Sequence, residues 1–214
     1  MKKAILFDLD GTLLDTTEGV LESAMFAARE MGFKPLPYEI MLKFVGPPIQ
    51  NSFIQYYGCT AAHAQQAAEL FRNYYKEHAL YKARLYPDMI NTLREIHRRG
   101  LHIGVATYKR EDYAMAILEY FGIAPFCSSM HGADNFNRLT KADIVNTCIR
   151  ELGESKHNVI LIGDTEHDAT GAQKAGVDFL GVTYGFGFKN KTDISAYPNI
   201  GCVDNPIEII KYIE

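Results

Sequence analysis

The sequence predicts an α/β fold, a three-layer sandwich around a central parallel sheet, interrupted near its start by an all-helical insert. Three observations carry this expectation. Short continuous apolar runs recur along the chain, each bounded by turn or polar residues, as central parallel strands require. From residue 87 onward these runs alternate with helical patterns. Residues 13 to 86 break that rhythm, with helical periodicity and no convincing strand.

Ala4-Ile5-Leu6-Phe7 gives the first strand. In the following stretch Val20, Ala24, Ala27, Ala28 and Met31 share one helical face, and further helices are expected over 37–45, 48–57 and 60–80. About seventy residues is too long for one crossover connection, which predicts an inserted domain. We place that insert at 15–86, with hinges near 15–17 and 84–86, and the core at 1–14 and 87–214. Pro87 and Asp88 suit the first turn of a helix that runs through Leu93 and Ile96 toward Leu101. A strand over 102–106 follows, then a helix over 110–121 that Gly122 ends. Cys127-Ser128-Ser129-Met130 is a shorter strand candidate. Helices over 140–152 and 166–175 stop at Gly153 and Gly176. Strands over 158–162 and 178–182 flank the second of them, and Gly201-Cys202-Val203 is a last candidate.

Bulk properties exclude several function classes. The 214 residues carry 22 basic and 26 acidic side chains, a net charge of −4. No basic run marks a nucleic-acid footprint, and no single-sign block marks a disordered tail. Cys59, Cys127, Cys148 and Cys202 are scattered, with no CxxC pair, which predicts reduced thiols in a cytoplasmic protein. Lys2 and Lys3 open the chain as a signal peptide would, but Asp8 and Asp10 break the apolar run behind them. No stretch approaches 18 apolar residues, so no membrane partner is expected.

The chemistry concentrates at strand ends. Asp8 and Asp10 follow the first apolar strand, where carboxylates are costly unless paired or metal-bound. Open parallel sheets place their sites beyond the carboxyl ends of the strands. By that rule Asp8, Asp10, Thr107, Asp164 and Asp168 gather at one rim, with Lys141 at the start of a neighbouring helix. A lysine in a first turn opposes the helix dipole by roughly 0.3–1 kcal/mol, so its ordinary reading is a solvated surface charge and its functional reading an anion contact. Asp164 and Asp168 equally suit plain helix capping. Hard oxygen ligands in an incomplete set favour Mg²⁺ completed by a phosphate. His97 and His102 form no zinc spacing.

Taken together, Asp8-Leu9-Asp10-Gly11-Thr12, Thr107, Lys141 and Gly163-Asp164 with Asp168 resemble, in order, the four motifs of the haloacid dehalogenase superfamily of phosphohydrolases. The helical insert is similar to the cap of its phosphoglycolate-phosphatase-like branch. Gly46-Pro47-Pro48 resembles that cap's substrate loop, and 182–187 the loop after the last core strand. The resemblance implies a Rossmann-like core and a small phosphorylated metabolite as partner, with no nucleic-acid polymer. It leaves monomer or homodimer open. It implies Asp8 as nucleophile and Asp10 as general acid and base. Thr107, the Tyr108 backbone N–H and Lys141 would bind phosphate. Mg²⁺ would be held by Asp8, the Asp10 backbone carbonyl and Asp164, with Asp168 ligating directly or through a water, or orienting Lys141. Tyr108 departs from the branch, which usually has a small or amide residue there; its ring would narrow the pocket or serve as a lid contact. Phosphoglycolate, nucleoside monophosphates and small sugar phosphates fit the resemblance as substrates. A sugar-phosphate mutase of the same fold is the alternative, and a non-catalytic phosphate-binding module or a dehalogenase fits less well. Lys43, Arg72, Lys76 and Arg84 are candidate leaving-group contacts, as are Tyr56, Tyr57, Phe71, Tyr74 and Tyr75, although ordinary solvated charges and insert packing account for each.

Overall fold

Six strands pair edge to edge, all in parallel, in a computed structural model that describes residues 2–134 and 138–213. They are β1 (Ala4–Phe7), β4 (His102–Arg110), β5 (Cys127–Ala133), β6 (Val159–Gly163), β7 (Asp178–Val182) and β8 (Gly201–Val203), in the order β5-β4-β1-β6-β7-β8. β1 lies between β4 and β6, with Ala4 opposite both His102 and Val159. All four β1 side chains are buried, which explains the continuous rather than alternating apolar run.

Helices α5 (Met89–Arg98) and α6 (Glu111–Tyr120) join the strands on one side of the switch point. Helices α7 (Lys141–Leu152) and α8 (Glu166–Ala175) follow once the order reverses. Right-handed crossovers therefore put the two pairs on opposite faces, giving three layers. Ala4, Leu6, Val159 and Leu161 pack with Val145, Cys148, Ala169 and Ala172 in a core under α7 and α8. Gly153 and Gly176 end those helices in the left-handed region, at φ 67° and 76°.

Some local structure departs from the expectations. α5 stops at Arg98, short of Leu101, because the chain turns at Gly100, φ 75°. β4 runs on to Arg110. A short helix α9 (Lys191–Ser195) and a 3₁₀ segment (Pro206–Tyr212) carry too little periodicity to be read from sequence. Two-residue strands β2 (Leu14–Asp15) and β3 (Arg84–Leu85) pair where the chain passes into and out of the insert.

The chain divides into two compact units, 1–14 with 85–214, and 15–84. The second unit contains α1 (Thr17–Glu30), α2 (Tyr38–Met41), α3 (Ile49–Tyr57) and α4 (Ala61–Tyr74), the last running into a π-helical turn at Tyr75–Ala79. Val20, Ala24, Ala27 and Ala28 are buried along α1. The insert's aromatic residues pack on one another: Phe26 stacks on Tyr74 at 4.3 Å, Phe33 on Tyr57 at 4.7 Å and Phe71 on Tyr75 at 5.5 Å. Arg84 reaches Glu18 at 3.5 Å, and Gly46-Pro47-Pro48 forms the turn into α3.

Candidate active site

Three strands end side by side and set the site. Asp8 directly follows β1, its N–H bonded to Ile162 O on β6 at 2.9 Å. Asp164 directly follows β6, and Thr107 lies near the end of β4. The rim they share is the one where the strand order reverses. Gly11 then turns the chain at φ 85°. A Cβ at that position would sit 2.3 Å from Asp164 Oδ2, so a glycine is needed both for the turn and for the close approach.

Lys141 is the hub. It is 2% exposed, and its Nζ lies 2.6 Å from Asp8 Oδ1 and 2.6 Å from Asp168 Oδ1. The surface-lysine reading is therefore excluded by burial and by two charge-assisted contacts. α7 brings Lys141 in at its first residue. Gly171 on α8 leaves room for its stem, since a Cβ there would meet Lys141 Cγ at 2.5 Å. Asp168 has both oxygens engaged, Oδ1 on Lys141 and Oδ2 accepting from Thr165 N–H at 3.1 Å and Oγ1 at 2.7 Å. Asp168 thus ties Lys141 to the first turn of α8.

Residues 107–109 leave the ladder. Ala106 pairs with His131 and Arg110 with Ala133, so three residues of β4 face a single residue of β5. Such a bulge redirects side chains at a strand end. Thr107 is buried there, and its Oγ1 accepts the Lys109 N–H at 3.1 Å, which leaves its O–H free to donate. The Tyr108 side chain turns toward the start of α7. Its hydroxyl accepts the backbone N–H of Lys141 at 2.9 Å, and the ring packs against the core under α7. Its edge-on neighbour is His167, 5.7 Å away.

Lys109 was not among the sequence candidates, yet its Nζ contacts both oxygens of Asp10, at 2.9 and 3.1 Å. Both side chains are almost buried, at 7% and 10% exposure. The available signal was position: Lys109 lies two residues beyond Thr107 on one strand end. The Asp10 carboxylate thus points to Lys109 and stands outside the cluster of Asp8, Asp164 and Asp168, whose ligand oxygens lie within 4.8 Å of one another.

Burial raises Asp8 to a pKa of about 7, with Lys141 opposing and Asp168 adding to the rise. Burial also raises Asp164 to about 8. Repulsion from Asp168 and Asp8 adds to this, against the N–H groups of Gly187 and Phe186. Burial alone would depress Lys141, but Asp168 and Asp8 outweigh it and hold its pKa raised. Once ionised, the three buried carboxylates outnumber the one ammonium among them, an excess of negative charge that a divalent cation would offset. The oxygens suit one. Lys141 takes Asp8 Oδ1, and the loop N–H groups of Phe186 and Gly187 take Asp164 Oδ2 at 2.7 and 3.1 Å. Asp8 Oδ2 and Asp164 Oδ1, the latter 3.5 Å from Thr12 Oγ1, retain ligand capacity.

Comparison with known proteins supplies the family. A family model described as haloacid dehalogenase-like hydrolase matches residues 5–182. A 5'-nucleotidase from Pseudomonas aeruginosa is 32% identical over 87% of this chain and 85% of its own length. A phosphoglycolate phosphatase from Vibrio cholerae is 30% identical over 86% of this chain and 85% of its own. The crystal structure of a predicted phosphatase from Clostridium acetobutylicum superposes with a TM-score of 0.93 at 31% identity, covering 100% of this chain and 98% of that one. With its parallel sheet, its strand-end aspartates and a family match over most of its length, the chain belongs to the haloacid dehalogenase-like hydrolases.

Proposed function

We propose that the protein is a phosphatase that hydrolyses small phosphomonoesters through an aspartyl-phosphate on Asp8, with phosphoglycolate or a nucleoside monophosphate as the substrate class. The observation that carries this reading is Lys141, held at 2.6 Å from both Asp8 and Asp168 within a cluster of buried carboxylates. The names of the two relatives support the substrate class. The unit at 15–84 serves as the cap, with its hinges at the two chain crossings.

In this scheme Asp8 attacks phosphorus and expels the alkoxide. Bringing one anion to another at 4 Å costs about 4 kcal/mol at an effective dielectric of 20. Lys141 offsets part of that and, with Thr107 and the Tyr108 N–H, holds the non-bridging oxygens. Asp8 and Asp164, with the Asp10 backbone carbonyl, would hold Mg²⁺, which when bound supplies further neutralisation of charge on the attacking and phosphoryl oxygens. Asp168 keeps Lys141 in place. Asp10 gives a proton to the leaving oxygen and then takes one from the water that cleaves the phosphoenzyme. Lys109 fixes the Asp10 carboxylate away from the carboxylate cluster, which separates the two aspartates by role.

The test is rapid quenching with ³²P-labelled substrate and Mg²⁺. Wild type is expected to carry acid-stable, hydroxylamine-labile label, and Asp8→Asn to carry none and turn nothing over while keeping its circular dichroism. Near-wild-type turnover by Asp8→Asn would overturn the covalent scheme. Isomer instead of inorganic phosphate from a hexose 1-phosphate would favour the mutase.

A further inference from the structure

The resemblance leads one to expect a small or amide side chain after Thr107, and this chain has Tyr108 there. What the tyrosine does follows from the needs of α7. A helix start leaves its first N–H groups without intrahelical partners. In α7 the Thr140 hydroxyl accepts the Asp143 N–H at 3.2 Å, and the Asp143 carboxylate accepts the Thr140 N–H at 2.9 Å. That reciprocal cap leaves the N–H of Lys141, the first helical residue, still to be satisfied. Tyr108 takes it, with its hydroxyl oxygen 2.9 Å away and 33 residues distant in sequence.

The ring adds a second contact. Lys141 Nζ lies 5.8 Å from the centroid of the Tyr108 ring, at the edge of cation–π range. The ring's own position is fixed by the core under α7 and by the His167 ring at 5.7 Å and 79°. Tyr108 therefore meets Lys141 at both ends, its backbone through the hydroxyl and its ammonium through the ring. An amide at 108 has neither the reach nor the face to do this.

We propose that Tyr108 is a positioning residue that sets Lys141 between Asp8 and Asp168, acting chiefly through the hydrogen bond to the Lys141 backbone. Its place in the reaction rests on the phosphatase reading above; the brace itself does not. Lys141 is buried and tied to two carboxylates, so a small displacement of the start of α7 alters both ion pairs at once. Catalytic groups misplaced in this way lose effectiveness steeply.

The experiment uses the full chain with Mg²⁺, as Tyr108→Phe and Tyr108→Asn, alone and each with Lys141→Met. Calorimetry reads the affinity for inorganic phosphate, and hydrogen exchange reads the Lys141 amide. Tyr108→Phe keeps the ring and is expected to weaken phosphate roughly fivefold, the value of about one neutral hydrogen bond. The same change is expected to speed Lys141 amide exchange by about tenfold or more. Tyr108→Asn is expected to do the same or worse on both readouts. In the Lys141→Met background either change at 108 should alter phosphate affinity less than about twofold, because a residue acting through the ammonium has nothing left to position. Equal losses in both backgrounds would overturn the proposal, and so would an unchanged Lys141 exchange rate in Tyr108→Phe. A wild-type protein that turns over no phosphomonoester would instead refute the phosphatase reading, while the exchange measurement would still decide on the brace.

Discussion

Removing divalent metal should make this protein's stability fall as pH rises through neutrality, and restoring Mg²⁺ should abolish much of that fall. The cause is the pair Asp8 and Asp164, raised from an ordinary 3.8 to about 7 and about 8. Near pH 6 the folded protein therefore holds protons that the unfolded chain has already released. A carboxyl raised on folding contributes stability that is complete below its unfolded pKa and is lost as pH climbs through its folded one. The window runs from about 4 to about 7 for Asp8 and to about 8 for Asp164. At about 1.4 kcal/mol per proton per pH unit, two such groups cost roughly 4 kcal/mol between about pH 5.5 and 7, or on the order of 10 °C in melting temperature. Carboxylates held low by surface partners, such as Glu95 at about 2 beside Arg98 and Arg99, lose their contribution only in acid, below this window. The assay is thermal unfolding of chelator-treated protein from about pH 5.5 to 8, with and without saturating Mg²⁺. A cation between the carboxylates takes over the role of the protons, so its stabilisation should be small at the acid end and large at the alkaline end. A metal-free melting temperature that stays level or rises over this range would refute the reasoning, as would equal stabilisation by Mg²⁺ at both ends.

Two further substitutions probe the lysines. Lys109→Met removes the bidentate partner of Asp10; kcat/KM, which reads formation of the phosphoenzyme and not its hydrolysis, should fall by roughly tenfold or more on alkyl phosphates and little on p-nitrophenyl phosphate, whose leaving group needs no proton. Equal losses on both substrates would mean that Lys109 does not act through Asp10. Gly171→Ala should help α8 by about 1 kcal/mol of helix propensity, yet its methyl would lie 2.5 Å from Lys141 Cγ. Steady-state kinetics should show kcat/KM falling on the order of a hundredfold, and full activity would show that the contact between α8 and Lys141 has slack.

Apart from α9 and the last 3₁₀ segment, the elements of the core were legible because each carries a local signal. The four residues of β1 are apolar on both faces, and α6, α7 and α8 are each followed by a glycine in the left-handed region. The site was legible to the extent that it sits at strand ends, since Asp8, Thr107 and Asp164 need only the parallel-sheet rule to be brought together. Lys109 was not, because nothing in a strand pattern announces that three residues will leave the ladder at 107–109. Nor could the direction of the Tyr108 hydroxyl be read, since it depends on a helix that begins 33 residues later. The Asp164 partners are backbone N–H groups of Phe186 and Gly187, and main-chain donors leave no trace in residue type. The π turn at Tyr75–Ala79 and the ribbon at the insert crossings are likewise set by tertiary packing rather than by local preference.

The looped-out stretch at 107–109 has a consequence for how such a protein can change. Residues inside a ladder answer to their neighbours on both sides, so altering one unsettles the sheet. Thr107, Tyr108 and Lys109 are excused from that duty, with Ala106 and Arg110 resuming the pairing on either side. The middle residue can therefore be exchanged without touching the pairing of β4 with β5, and what the exchange alters is the start of α7 and the chemistry at the rim.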